Sequence, residues 1–288
     1  MATSIFGALM SNANDATFRA WGSILSAQIG SILTRVVQTG DINWATAIVP
    51  STSAYAGSEV FRFNDALQAT APIFIKVEYG TGSGATASSL RITVGKSADG
   101  AGNIGGVLLA QTAVISFSSA STALSNCYIS GGSSWFALSL DPISPSTTTG
   151  GLFYIERSVN NGGVPTGDAL LVGWQTNQSS GQNHRFIDYP NATAESITGG
   201  IIAMPLVLST DRSIANGTTA PIFPAACISP SGVFWRPRVI LGTARQNAGL
   251  GEIINGLLDG NSYLSLGVGA QRSDQRGGSF ATTLIRWD

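Results

Sequence analysis

Over the first forty positions the apolar side chains recur with a helical period. Phe18, Trp21, Leu25, Ile29, Ile32 and Val36 follow one another in steps of 3, 4, 4, 3 and 4, averaging the 3.6 of a straight amphipathic helix. The spacing predicts a helix over 15–37. Asp15 stands at its start, where a carboxylate meets free amides and the positive end of the dipole. A coiled coil needs a 3.5-residue repeat, and continuing that repeat from Phe18 places Gln28 and Arg35 on the seam. The expectation is therefore a helix packed on a body and not a fibre stalk. Gly22 and Gly30 each cost a helix about 1 kcal/mol relative to alanine, which points to close approach of another backbone or to a helix that forms only with its partner.

After Gly40 the pattern changes to short runs rich in β-branched and aromatic residues, separated by Gly, Asn, Ser and Pro. The clearest runs are 59–63, 72–79, 90–95, 107–117, 134–140, 152–159, 169–175, 200–208, 232–241, 262–268 and 281–287. Ile73, Ile75, Val77 and Tyr79 alternate with Phe74, Lys76 and Glu78, as a half-buried strand requires. Asn161-Gly162, Asn216-Gly217, Asn255-Gly256 and Asp259-Gly260 are turn dipeptides that accept positive φ. Gly- and Ser-rich positions near 80–89 and 97–106 read as surface loops, and there is no internal repeat. The fold class is mainly β: an antiparallel β-sandwich of jelly-roll type preceded by one N-terminal amphipathic helix. It divides into a segment with the docking helix, 1–40, and a body, 41–288, which could split into two subdomains near 145–150.

Composition adds that charge is scarce. Charged residues make up 11 % of the 288, where an ordinary domain carries about a quarter. The only lysines are Lys76 and Lys96, and there are five glutamates. Interface cores lose Lys and Glu while keeping Arg and aromatics, and a free surface so poor in charge does not hold copies apart. The chain is expected to work with much of its surface covered. A net charge of −1 supplies no basic field for nucleic acid or for an anionic membrane. The stretch 18–37 holds Arg19, Gln28 and Arg35 and is not expected to span a bilayer. The opening MATSIFGALMSNA has no basic n-region, so no secretion signal is expected and synthesis is placed in a cytoplasm.

Candidate chemistry is thin. Gly80-Thr-Gly82-Ser-Gly84 is followed by a strand, whereas a dinucleotide loop needs a helix there. Gly95-Lys96-Ser97 lacks the earlier glycine of a phosphate loop, since position 90 is Leu. His184 is the only histidine, and Ser180 and Asp188 flank it four residues away on either side, a spacing that does not converge on the ring. It reads as a surface or inter-subunit histidine. Cys127 and Cys227 lie 100 positions apart without metal-site spacing, and two buried thiols are preferred to a disulfide. No local carboxylate pair stands out, so no catalytic residue, metal ligand or cofactor is assigned. If a glycan or protein binds, Trp174 beside the polar stretch from Gln175 to Arg185 is the expected contact, with Gln175, Asn177, His184 and Arg185.

Three stretches carry a resemblance: SNANDATFRAW at 11–21 leading to QTGDINW at 38–44; RFND at 62–65 with APIFIKVEYGTG at 71–82; and the closing LIRWD at 284–288. They resemble the tail-fibre, baseplate and minor structural proteins of tailed bacteriophages. The resemblance implies a virion component made in the bacterial cytoplasm, with no cofactor and no enzymatic activity. It implies a homo-oligomer, a trimer by analogy with phage fibres, in contact with other virion proteins, with a host surface glycan or protein as a candidate further partner. Phe18, Trp21, Leu25, Ile29 and Ile32 are the expected docking face. A capsid decoration or head-fibre protein, and a polysaccharide-degrading tailspike, are the alternatives.

Overall fold

The computed structural model describes residues 2–9, 15–48, 55–80, 90–115, 124–140, 151–175, 183–196, 202–203, 222–228, 234–235, 240–243, 253–255, 261–265 and 282–287. They form a mainly β protein with antiparallel sheets and one α-helix, α1, at Asp15–Ile32. Asp15 accepts from Arg19 through both carboxylate oxygens and from the Ile48 amide. Those bonds, the Arg19 bond foremost, hold its carboxyl below the ordinary range. Asp15 thus anchors the 44–48 segment as well as favouring the helix dipole.

The helix ends five residues earlier than its sequence period suggests. The Leu33 amide still bonds to the Ile29 carbonyl, but Thr34–Val36 is a strand, β2. Two β-branched residues in three disfavour another helical turn, and the backbone groups of Thr34, Arg35 and Val36 find partners opposite Arg62, Phe61 and Val60. Gly22 is explained by a ring and not by a backbone: a Cβ there would lie 2.1 Å from the Trp44 indole.

β2 opens a five-stranded meander with β3 (Gly57–Arg62), β4 (Phe74–Tyr79), β5 (Leu90–Ala98) and β6 (Ile104–Ile115), in that order. A 3-10 turn at Ala66–Ala69 links β3 to β4. The alternation read in β4 holds, with Ile73, Ile75, Val77 and Tyr79 all buried on one side. The second sheet has seven strands. β1 (Ala2–Leu9) lies at one edge, followed by β7 (Leu124–Gly132), β8 (Trp135–Leu140), β9 (Gly151–Val159), β10 (Pro165–Gln175), β11 (Asn183–Asp188) and β12 (Thr193–Ser196). β8 and β9, on either side of 145–150, are hydrogen-bonded neighbours. The turn dipeptide Asn161-Gly162 joins β9 to β10, with the Asn160 side chain accepting from Gly162 and Val164. The other three turn dipeptides lie wholly or partly outside the described residues.

A third sheet runs β13 (Ile202–Ala203), β14 (Ile222–Ile228), β16 (Ile240–Thr243), β19 (Thr282–Arg286), β18 (Tyr263–Ser265), β17 (Ile253–Ile254), with β15 (Phe234–Trp235) also paired to β14. Strand order in the first two sheets is consecutive apart from the added β1, so the crossings of a jelly roll do not occur in them.

The seven-stranded sheet is the middle layer. Ile129, Phe136, Leu138, Phe153, Ile155, Leu170 and Val172 on one face share a core with α1 and the five-stranded sheet. Tyr128, Trp135, Ala137, Tyr154 and Leu171 on the other face pack with Leu264, Ile285 and Trp287 of the third sheet. Burial on both faces explains why β8, β9 and β10 read as continuous apolar runs. In α1, Phe18, Trp21, Leu25, Ile29 and Ile32 are at most 8 % exposed and pack inward on this chain's own core. Each such fully buried side chain contributes about 1.5–3 kcal/mol, so this face holds the fold together. The expected docking face is thereby corrected: its five side chains are not available to a neighbour. No helix among the described residues is long and apolar enough to cross a membrane.

Candidate functional site

Among the described residues the most deeply buried polar groups lie between the layers. β9 carries the two main contributions, because neighbouring residues on a strand face opposite ways. Arg157, fully buried, faces the five-stranded sheet. Its Nε donates to Asp65 Oδ2 at 2.7 Å and its Nη2 to Asp65 Oδ1 at 3.3 Å, with the Phe63 ring 5.3 Å from the guanidinium. Asp65 follows β3, so this forked pair ties two sheets together across 92 positions of sequence. Close by, the Tyr189 hydroxyl donates to the Pro72 carbonyl at 2.9 Å. Burial raises the Tyr189 pKa, against the opposing charge of Arg157.

Tyr154, three residues earlier, faces the third sheet. It is directly opposite Gly173 on β10, and Gly173 is opposite His184 on β11. A Cβ at Gly173 would lie 2.1 Å from the Tyr154 ring, so the missing side chain lets that ring cross the strand. The Tyr154 hydroxyl then meets His184 Nδ1 at 2.7 Å. His184 Nε2 is buried without a partner. Burial holds the ring neutral, its pKa pushed down to about 3. Either neutral tautomer leaves Nε2 unsatisfied, which costs about 1–3 kcal/mol.

A third buried polar group lies under α1. The Tyr79 hydroxyl donates to Glu59 Oε2 at 2.7 Å, with both residues fully buried. Burial, and after it the neighbouring Glu59, raise the Tyr79 pKa far above its ordinary value. Arg35 Nη2 comes within 2.9 Å of Glu59 Oε1, near enough to act as a charge but outside hydrogen-bonding geometry, since Oε1 has no hydrogen-bond partner. Trp21 and Trp44 pack edge-on against Tyr79, at 6.4 and 4.9 Å between ring centroids.

The residues expected to contact a ligand do not gather at one place. Trp174 is half-buried and packs on the core shared with the five-stranded sheet, with the Arg185 guanidinium 5.4 Å from its ring. His184 is 3 % exposed and faces the opposite side of the sheet. It is a strand residue and not a surface one. Gln175 ends β10, while its side chain and Asn177 lie outside the described residues. Sequence reasoning missed Arg157, Asp65 and Tyr154. One signal was available: Glu156 and Arg157 interrupt an apolar strand, and both are fully buried, which calls for a partner on each face. Among the described residues no three metal-ligating side chains come together.

What these contacts define is a layered antiparallel β protein in which the Arg157–Asp65 pair joins two sheets while the Tyr154–His184 and Tyr79–Glu59 pairs each lie within one. The chain matches no protein-family model and no curated protein.

Proposed function

We propose that this chain is a structural component of a tailed bacteriophage particle, associated with the tail fibre or baseplate, and that it assembles as an oligomer. One observation carries the reading. Among the described residues only Arg35, Asp99 and Asp168 are exposed charged residues. Glu59, Glu78, Glu156 and Arg157 are buried, so among the described residues exposed charge is scarce. A surface so short of Lys and Glu suits coverage by copies or neighbours better than life as a separate solute. We take the stacked sheets as a sandwich-like body whose meander order sets it apart from a jelly roll. Host contact, where it occurs, falls to the Trp174–Arg185 end of that body. No step of this role requires catalysis or a cofactor.

The reading is tested by quantifying the chain in density-purified particles from the cells that produce it. A fixed copy number of a handful per particle supports a tail station. Hundreds of copies per particle would instead make it a capsid decoration or head-fibre protein. A chain that stays in the soluble fraction while particles form without it would overturn the virion role.

A further inference from the structure

We propose that the outer edge of β1 is an assembly seam, and that its occupant is β1 of a second copy of this chain. The inference rests on the self-assembly part of the reading above and not on any station in a particle. β1 pairs with β7 in unbroken register from Ala2↔Gly131 to Leu9↔Leu124. Among the described residues no strand pairs with its other side. On that side every second residue presents an N–H and a C=O without a ladder partner, the usual template for strand addition.

Among the described residues the remaining sheet edges each carry a guard, β15 by being two residues long. β2 is three residues long and contains Arg35. β12 is four residues long and contains Glu195. β13 and β17 are two residues each. β6 is long, but its pairing with β5 shifts register at three places, and Gly106 adopts positive φ within it. Short length, charge and irregularity are the ordinary ways of keeping an edge from pairing. β1 uses none of them: its eight residues, ATSIFGAL, contain no charge and no proline.

The chemistry of that strand favours its own copy as partner by setting no like charges against each other. A two-fold axis perpendicular to the sheet sets β1 antiparallel to itself. A charged strand would then place like charges opposite one another, whereas an uncharged strand has no such penalty. The flank agrees. α1 packs on β1 and β7, and its exposed residues are Ala16, Ala20, Ile24, Ala27, Gly30 and Ser31. Its only charges, Asp15 and Arg19, pair with each other. Copies approaching along this edge therefore meet a surface without repulsion. The two fused sheets would run continuously from β12 of one copy to β12 of the other, and the copy number would be even, in place of the trimer expected by analogy.

The test is amide hydrogen exchange of the full chain across residues 3–9, with mass followed by light scattering at the same concentrations. Where the mass is doubled, all these amides should exchange slowly. On dilution to single chains, every second one should speed up by at least about tenfold. An associated protein in which alternate β1 amides stay fast would sink the seam while leaving self-assembly intact. A monomer at every concentration, or slow β1 exchange in a monomer, would overturn the proposal outright. Ser4→Pro and Ile5→Pro supply a second arm, since adjacent N–H groups point to opposite edges. One of the two should yield a folded monomer, and two variants that both keep the wild-type mass would contradict the seam.

Discussion

Strand β9 holds two polar links of opposite character three residues apart. Arg157 reaches the five-stranded sheet through a forked ion pair with Asp65. Tyr154 reaches across Gly173 to a neutral histidine on β11 of its own sheet, on the side that faces the third sheet. Both are buried, yet they are vulnerable in different ways. The ion pair fails when one partner is removed and a charge is left stranded in the core. The neutral pair fails when a proton is added. A single middle layer thus has one interface sensitive to substitution and another sensitive to acid.

The largest effect should come from breaking the ion pair. Arg157→Met or Asp65→Ala leaves the other group buried, at a cost of about 3–5 kcal/mol, measurable by denaturant unfolding. Replacing both, as Arg157→Met with Asp65→Leu, should recover part of that loss, because no charge is then stranded. If the double variant is as damaged as the sum of the singles, the pair does not act as a unit.

Acid comes next. His184 in the folded protein resists protonation down to about pH 3, while in the unfolded chain it titrates near its ordinary value of 6.5. Below pH 6.5 the unfolded state therefore takes up a proton that the folded state refuses. Stability falls through that window and levels off below the folded value, at about 1.4 kcal/mol per pH unit. By pH 5 the loss is about 2 kcal/mol. Unfolding curves of wild type and His184→Gln at a series of pH values isolate this contribution from the carboxylates. Parallel pH profiles for the two proteins would refute it.

The smallest effect belongs to Arg185 over Trp174, which is only half-buried. Arg185→Ala should cost about 0.5–1 kcal/mol and leave the pH profile untouched, since it lies on the other face from His184. A variant that alters acid sensitivity would mean that the two faces communicate through β11.

How much of this was legible in the sequence depends on how local each signal is. α1 announced itself through its 3.6 period, and β4 through strict alternation. β9 and β10 were visible as apolar runs, but a run buried on both faces does not say which sheets cover it. β1 and β7 escaped notice because ATSIFGAL and LSNCYISGG are rich in small residues and lack the β-branched density that marks β4. β11 reads as part of a polar stretch because His184 and Arg185 look like surface chemistry. Their placement depends on a partner 30 positions away for His184, and on an aromatic ring in the neighbouring strand for Arg185. The end of α1 was misplaced because Val36 continues the helical period, while the pairing that captures it lies in β3. The link from Arg157 to Asp65 spans too much chain for any local pattern.

Self-assembly is the proposed reason that so few charges are exposed among the described residues. Light scattering of the purified full chain over a rising concentration series tests it most directly. The account predicts a mass that settles at a fixed whole multiple of one chain, twofold if β1 forms the only seam. A mass that stays at one chain throughout, with the protein remaining freely soluble, would contradict self-assembly as the reason for the missing charge.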